Sequence, residues 1–517
     1  MAAVAVVVYL DIARRLLPHY YYQVNPDGIS YITIAQRYLG GDWSGALNGH
    51  WSPMLSWLLA PVLAVDDQPL RAAKLVTIAS GCVFLIAMAL LGRAMRLRTT
   101  VLGAVMICAI ALALNMALSL ITADLLLAGI LLAYLSVVMN RHYPQKWWLG
   151  LVCGLTAALA YFAKNFAMPF FLCHFLLVLL MHLVESRRWR PRRRAIIGYV
   201  AGLAVFMVVC GPWVALLSTK YDRFTISTQG RFNNALNHPG GLHRARPGFR
   251  TLPDDVVVSA TGDAPVDELR AWSPFASAEN FQHQISIFVA NAKKIGQHLV
   301  MFSSLAPLVG VVCVILCFRW PRRLIRRRWL MVPVMAVVIY CCGYALVQVV
   351  ARYLWPLWGL LILMAGGLLS RTFAARSMRH WAVRTIALVV MVSMFVPPAI
   401  NELVVAHGRA DAGFRLHGLS EALRKIEPIE GVIASDQAWS DTMVLAFHLR
   451  CQYIGVPTGI IGDDQIGAEV QLARPDFFFF WDRSRPPPSY LDGAREITGG
   501  RFEYLKIFDL RNRWRDP

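Results

Sequence analysis

Two carboxylates and two cations interrupt apolar stretches of the sequence, and their types suit chemistry on a phosphate group. They are Asp27, Asp124, Lys164 and Arg352. Lysine and arginine side chains hold phosphate oxygens through charge-assisted hydrogen bonds. A carboxylate can accept the proton of an attacking hydroxyl group as a general base. The four residues therefore predict a phosphate-handling site, provided that the fold brings them together.

Each of the four also has an ordinary structural interpretation. Asp27 could cap the helix that the apolar spacing predicts over residues 29–39. Asp124 could cap the apolar span that it opens, and Lys164 could extend its amine to lipid headgroups. Arg352 could be an anchor at the membrane interface. These alternatives stay open at the level of single residues.

Two further side chains are candidates for substrate contact. His50 lies in the polar stretch that follows Asp27, and Tyr353 follows Arg352 directly. A histidine there could assist proton transfer, or it could be an ordinary interfacial residue. The tyrosine equally suits an aromatic belt at the membrane surface.

The composition excludes a soluble protein. Of the 517 residues, 57% are hydrophobic and 16% are charged, against about 25% charged residues in soluble domains. The net charge of +20 invites a nucleic-acid interpretation, but the arginine clusters lie between apolar segments instead of on one soluble face. Nine of the ten cysteines lie in apolar runs and no CxxC pair occurs, so neither a disulfide framework nor a zinc site is expected.

The sequence predicts an α-helical polytopic membrane protein with about eleven transmembrane helices, because that many apolar runs are long enough to cross a bilayer. The first of these runs is short. The predicted spans are residues 1–18, 71–91, 101–120, 123–139, 148–163, 166–184, 195–217, 296–318, 330–350, 353–369 and 382–400.

The basic residues predict the orientation of these spans. They cluster in five connecting segments: residues 93–98, 141–146, 187–194, 319–328 and 371–384. If the spans alternate, all five segments face one side, which the positive-inside rule identifies as the cytoplasm. The N-terminus is then cytoplasmic. The four charged residues, His50, the loops 19–70 and 218–295 and the C-terminal tail then lie outside the cytoplasmic (inner) membrane.

The tail from residue 401 to 517 has a different pattern. Helical periodicity at 419–426 and 440–449 alternates with short β-type segments, which predicts a small external α/β domain after a transmembrane module of residues 1–400. The expected strands are residues 431–435, 452–456, 477–481 and 502–508. No glycine-rich nucleotide-binding loop is present in the sequence.

Four short motifs follow one another in an order typical of one superfamily. They are Pro26-Asp27-Gly28-Ile29-Ser30-Tyr31, His50-Trp51-Ser52-Pro53-Met54, the pair Asp124 and Lys164 at the ends of consecutive spans, and Arg352-Tyr353-Leu354-Trp355-Pro356. Through them, residues 1–400 resemble the GT-C superfamily of membrane glycosyltransferases. The branch they resemble most contains the protein O-mannosyltransferases and the lipid A aminoarabinose transferase, where an external C-terminal domain is also usual.

The resemblance implies transfer of a sugar from a polyprenyl-phosphate donor to a lipid, glycan or protein acceptor on the external face. Asp27 would be the catalytic base, and Asp124 a second carboxylate that shapes the site. Lys164 and Arg352 would bind the donor phosphate. Several relatives carry two consecutive acidic residues where this chain has Asp27 alone, so the resemblance leaves the sugar and a divalent metal open and implies no other cofactor.

Two alternative functions remain at this stage. A polysaccharide polymerase or ligase acting on undecaprenyl-linked glycans would use the same donor class and is expected to rely on Arg and His in a large late loop. The loop 218–295 contains such residues: Arg231, His238, His243, Arg244 and Arg246. A membrane transporter would predict two related halves or broken helices at corresponding positions, and the sequence shows neither.

Overall fold

A computed structural model describes residues 1–185, 189–241, 248–249, 270–319, 328–375, 380–457, 462–482, 484 and 486–514. Helices dominate the described chain up to residue 426, and a small sheet follows. The helices are α1 Ala2–Tyr20, α2 Pro26–Leu39, α3 Trp43–Ala46, α4 Met54–Leu63, α5 Pro69–Ala94, α6 Thr99–Ser119, α7 Asp124–Val138, α8 Trp148–Ala163, α9 Ala167–Glu185, α10 Trp189–Lys220, α11 Gln229–Leu236, α12 Ala278–Phe302, α13 Leu305–Arg319, α14 Arg328–Ala345, α15 Trp355–Thr372, α16 Trp381–Ile426, α17 Trp439–Leu449 and α18 Asp463–Ala473.

The predicted polytopic helical fold is confirmed, with a smaller number of clear spans than predicted. Within the described residues, seven helices are long and apolar enough to cross a membrane, or eight if a sharply bent pair counts as one. The remaining predicted spans are also helical. However, α7 and α8 have only 15 and 16 residues, and α1 carries Asp11, Arg14 and Arg15.

The predicted span 296–318 is wrong, because the structure breaks it into two helices. Helix α12 ends at Phe302 and α13 begins at Leu305, with a bend of 118° between them. Ser303 is extended at the break, and its hydroxyl accepts a hydrogen bond from the Leu305 N–H at 3.2 Å. A serine within an apolar run does not interrupt the hydropathy, so the sequence pattern does not indicate this break.

Helices α8 and α10 approach closely because glycines face each other across their interface. A Cβ at Gly150 would lie 1.9 Å from the Gly198 carbonyl oxygen, and one at Gly154 would lie 2.0 Å from that of Gly202. Small residues spaced four apart allow membrane helices to pack backbone against backbone. This contact fixes α8, whose C-terminal end leads to Lys164.

The C-terminal region begins with one continuous helix. Helix α16 runs for 46 residues from Trp381 to Ile426, so the predicted division at residue 400 falls inside it. The sheet that follows has the order β2-β1-β3-β5-β4, with β1 parallel to β2 and β3, and β5 antiparallel to β3 and β4. The strands are β1 Val432–Ser435, β2 Gln452–Gly455, β3 Phe477–Phe480, β4 Arg495–Glu496 and β5 Lys506–Asp509.

This C-terminal unit packs against α2, the helix that carries Asp27. Ile29 of α2 shares a buried apolar cluster with Leu419 of α16 and Val444 of α17. Just before α2, the Tyr22 ring stacks on His417 with ring centroids 3.9 Å apart. The first polar loop and the C-terminal unit therefore meet beside the predicted site.

Candidate active site

Asp27 lies in the first turn of α2, and its carboxylate forms an ion pair with Arg352. The predicted capping role is wrong. Asn25 occupies the N-cap position and Pro26 begins the helix, three residues before the predicted start. Proline suits this position because its fixed φ is helical and its missing N–H needs no partner there. The side chain of Asp27 is thus available to a distant part of the chain.

Hydrogen bonds join the residue before α2 to the segment that precedes Asp124. The Asn25 side chain accepts a hydrogen bond from the Ile121 N–H at 2.9 Å and donates one to the Ile121 carbonyl oxygen at 3.3 Å. Gly28 allows this approach, since a Cβ there would lie 2.8 Å from the Cβ of Ile121. The role of Gly28 is therefore close packing. The contact sets the spacing between the two carboxylates.

Asp124 is the first residue of α7, and its side chain is only 1% exposed. One carboxylate oxygen pairs with the Lys164 amine. The other accepts a hydrogen bond from the Thr122 hydroxyl at 2.7 Å and lies 3.6 Å from Nε of Arg352. A buried carboxylate requires such partners, because an isolated charge away from water is very costly.

The Lys164 amine lies over the Tyr353 ring, 3.8 Å from the ring centroid. Contact between a cation and the face of an aromatic ring is attractive. The tyrosine is held in place by the Tyr340 hydroxyl, which donates to its carbonyl oxygen at 2.9 Å. Its ring also stacks on Tyr344, with centroids 5.0 Å apart.

The four predicted charged residues therefore form one connected ion-pair network, in the order Asp27, Arg352, Asp124 and Lys164. They come from the first loop, the start of α7, the end of α8 and the segment before α15. The Nε atom of Arg352 is buried and makes no hydrogen bond within the described chain. The two cations lie beside the Tyr353 ring, and Nε of Arg352 is a hydrogen-bond donor not yet used. An anionic group can therefore replace one carboxylate as the partner of these cations.

His50 lies outside this network. Its backbone N–H donates to the Asn48 side chain at 2.8 Å, and its ring packs against Trp51 and Phe232. The loop does reach the site through Ser52, whose hydroxyl donates to the Asn165 side chain at 2.9 Å. The predicted substrate contact of His50 stays a prediction.

Two residues near the network were not singled out as functional in the sequence. Asn165, next to Lys164, joins Ser52 to Ser227 by side-chain hydrogen bonds of 2.9 and 2.6 Å. Tyr31 is buried in α2, and burial together with the carboxylates of Asp124 and Asp27 raises the pKa of its hydroxyl well above the ordinary value. The signal for both was position, since Tyr31 lies within a motif already noted and Asn165 directly follows Lys164.

Little of the arginine and histidine set in loop 218–295 can be placed. Arg231 lies in α11, and His238 accepts a hydrogen bond from Gly240 in a local turn. The other three, His243, Arg244 and Arg246, lie outside the described residues.

The residues at the network do not make a metal site of a usual kind. No group of three or more His, Cys, Asp or Glu side chains that could hold a metal ion occurs among the residues described. Each of the two carboxylates is already paired with a cation.

Solved structures share this architecture. ArnT from Cupriavidus metallidurans, bound to undecaprenyl phosphate, is 14% identical with a TM-score of 0.57, and the match covers 97% of each chain. AglB from Archaeoglobus fulgidus, an oligosaccharyltransferase in complex with an inhibitory peptide and a dolichol-phosphate, is 13% identical with a TM-score of 0.57, over 93% of this chain and 69% of that one. An oligosaccharyltransferase from the same organism, in complex with Zn and sulfate, is 12% identical with a TM-score of 0.54, over 92% and 67%.

No protein-family model matches the sequence, and no curated protein matches it either. The structural matches nevertheless show that the chain shares the polytopic helical fold of ArnT and AglB. This confirms the fold that the four sequence motifs predicted.

Proposed function

We propose that this protein is a membrane glycosyltransferase that takes a sugar from a polyprenyl-phosphate donor and passes it to a hydroxyl-bearing lipid, glycan or protein. The observation that carries the proposal is the ion-pair network, in which four residues from distant parts of the chain converge. The GT-C fold supports it. So do the undecaprenyl phosphate and dolichol-phosphate bound to the similar structures of ArnT and AglB.

In this mechanism the cations bind the donor phosphate. Lys164 and Arg352 neutralise Asp124 and Asp27 through ion pairs. An arriving phosphate replaces a carboxylate as partner of Arg352, whose buried Nε offers a further donor. This exchange keeps every buried charge paired and frees Asp27 for a second task.

The two carboxylates differ in solvent exposure, which suits them to different roles. The Asp27 side chain is 21% exposed, whereas that of Asp124 is 1% exposed. A base must come within hydrogen-bond distance of the hydroxyl that it activates. Asp27 can contact an acceptor that arrives from solvent, whereas the buried Asp124 holds the two cations in place.

The chemical step is a displacement at the anomeric carbon. The acceptor oxygen forms a bond to that carbon, and its proton passes to the Asp27 carboxylate. The bond between the anomeric carbon and the phosphate oxygen breaks with its electron pair. Polyprenyl phosphate leaves as an anion that Lys164 and Arg352 stabilise. The alcohol needs the base, because its pKa lies far above neutral, whereas the phosphate is already a good leaving group.

The test is donor consumption by the purified full-length protein. Undecaprenyl-phosphate-linked hexoses and pentoses are supplied with extracted cell-envelope acceptors, and released undecaprenyl phosphate is measured. We expect Asp27→Asn to lower this release at least about a hundredfold, since general-base catalysis contributes roughly 10²–10⁴-fold.

Asp67→Asn is the matched control, because Asp67 is an exposed carboxylate in the same loop. It should keep normal activity. Near-normal release by Asp27→Asn would remove Asp27 as the base. Binding of the donor by the wild type without any release would favour a transporter or binding protein over an enzyme.

A further inference from the structure

A cavity of about 790 Å³ lies between the ends of five helices, away from the ion-pair network. Its walls come from the C-terminal ends of α5, α7, α9 and α15 and from the start of α14. The charged residues that line it are Arg93, Arg96, Arg141, Glu185, Arg328 and Arg371.

Two helices connect this cavity to the candidate active site from end to end. Helix α7 begins at Asp124 in the network, and Asn140, just past its end, lines the cavity. Helix α15 likewise runs from Trp355, near Arg352, to Arg371 in the cavity wall. At 1.5 Å per residue, each path is about 24 Å long. The two sites therefore lie at opposite ends of the helix bundle.

The cavity is strongly basic. Five arginines and one glutamate line it, which leaves four positive charges in excess. Arg328 donates to the Tyr143 carbonyl oxygen at 2.6 Å and to Glu185 at 3.1 Å. Arg371 lies flat on Trp329, with its guanidinium carbon 3.3 Å from the ring centroid, and donates to the Gly367 carbonyl oxygen at 2.9 Å. These contacts hold two of the guanidinium groups in fixed positions.

Arg93 and Arg96 differ from these two arginines. The structure gives their side chains no hydrogen bond or ion pair anywhere in the described chain, and both are exposed. Arg96 also adopts a left-handed backbone conformation, with φ of 59°, which is unfavourable for a residue other than glycine. A favourable dipole at a helix end can explain one arginine, but it does not explain five of them around one cavity.

We propose that this cavity binds the phosphate-bearing headgroup of an anionic membrane lipid. A single phosphate would fill only a small part of a cavity of this size. The walls also include apolar side chains, Leu90, Met95 and Met139, which suit the first methylenes of a lipid tail. Basic pockets between membrane helices are known to hold anionic lipid headgroups. The predicted topology puts this end in the cytoplasmic leaflet, and the assignment does not depend on the proposed transferase activity.

The test uses native mass spectrometry of the full-length protein titrated with dioleoyl phosphatidylglycerol. We expect one saturable, tightly bound lipid. Arg93→Gln with Arg96→Gln should weaken its binding roughly thirtyfold, since each basic residue at such a surface contributes about 1 kcal/mol. Arg93→Lys with Arg96→Lys keeps the charge and should retain most of the affinity.

Arg190→Gln with Arg194→Gln is the matched control. It removes the same charge at exposed positions on α10, close in sequence to Glu185 but outside the cavity. The control should change binding by no more than about twofold. Equal losses in both double variants, or no loss in either, would overturn the proposal. Displacement of the lipid by millimolar sn-glycerol 1-phosphate or inorganic phosphate would instead assign the cavity to a soluble phosphate compound.

Discussion

The two cations of the ion-pair network stand in different surroundings, which determine how each should respond to substitution. Lys164 lies over the Tyr353 ring and pairs with a fully buried carboxylate. Arg352 joins both carboxylates and is itself partly exposed. Since Asp124 contacts both cations and the Thr122 hydroxyl, the loss of one cation leaves it with two partners.

Single substitutions of the cations should therefore weaken donor binding while the protein stays folded. We expect Lys164→Met or Arg352→Gln each to raise the KM for the polyprenyl-phosphate donor about tenfold or more, because a hydrogen bond to a charged group contributes roughly 1.5–3 kcal/mol. The double variant leaves two carboxylates without a cation and should lose several kcal/mol of stability. Steady-state kinetics and thermal unfolding measure both effects.

Lys146→Met is the control for the cation variants, since Lys146 is exposed at a loop near the basic cavity. An unchanged KM in both single variants would contradict the assignment of the phosphate site.

The charged residues of the network could be found in the sequence because charges among apolar residues are costly and call for a reason. Their pairing could not. The contact between Asp27 and Arg352 depends on how α2 and α15 pack, and neither residue carries information about the other. The role of Asn25 was equally hidden, because a short polar residue before Pro26 looks like any loop residue.

At the scale of elements, the position of α2 determines the geometry of the network. Asn25 and Gly28 hold its first turn against Ile121. We expect Gly28→Ala to displace that turn, because the added Cβ would lie 2.8 Å from the Cβ of Ile121. Transfer should fall at least about tenfold with little change in overall fold, since small misplacements of catalytic groups are costly.

Gly40→Ala, at the other end of the same helix, is the comparison. A Cβ there would meet the nearest atom, the carbonyl oxygen of Gln36, at 3.4 Å, so transfer should be unaffected. Equal activity of the two variants would show that the fit between α2 and Ile121 is not required.

The contact between α17 and the first loop should become less stable at acid pH. Burial, together with the nearby His417 and Arg424, lowers the pKa of His448 to about 4. Between about pH 6.5 and 4 the unfolded segment takes up a proton that the folded one excludes. The contribution of His448 to stability is therefore fully present above pH 6.5 and is lost as the pH falls towards 4, by on the order of 3 kcal/mol.

Hydrogen exchange of residues 439–449 at pH 7.5 and 5.0 measures this effect. Protection should fall with acidification in the wild type, and His448→Gln should flatten the dependence. The same slope in both proteins would exclude His448 as the cause.

Several elements were predictable because their patterns are local. The predicted strands 452–456 and 477–481 agree closely with β2 and β3. The predicted strand 502–508 was placed too early, since β5 begins at Lys506. The break at Ser303 and the length of α16 were not predicted. The hydropathy of a segment indicates whether it can lie in lipid, but not whether its helix is continuous.

At the scale of the whole molecule, the two ends of the helix bundle differ in net charge. One end carries the neutral ion-pair network, and the other carries the basic cavity. The predicted topology puts the network on the external face of the cytoplasmic membrane and the cavity on the cytoplasmic face. We expect a reporter that is active only outside the cytoplasm to be active when fused after Pro428 and inactive when fused after Arg194.

A fusion after Ala64 serves as the internal control, because residue 64 lies in the loop that carries Asp27 and should report the same side as Pro428. Activity of the fusions after Arg194 and Pro428 on the same side would overturn the predicted arrangement, and the external position of the site with it.

The continuity of α16 has a mechanical consequence. At 1.5 Å per residue its 46 residues extend over about 69 Å, roughly twice the thickness of the hydrocarbon layer. Pro397 and Pro398 lie within this helix, where each removes a backbone hydrogen bond, so the helix alone does not fix the position of the sheet. The apolar contact of Ile29 with Leu419 and Val444 does, because it holds the C-terminal unit against the helix that carries Asp27. Any acceptor that this unit engages would then be presented at a set distance from the base.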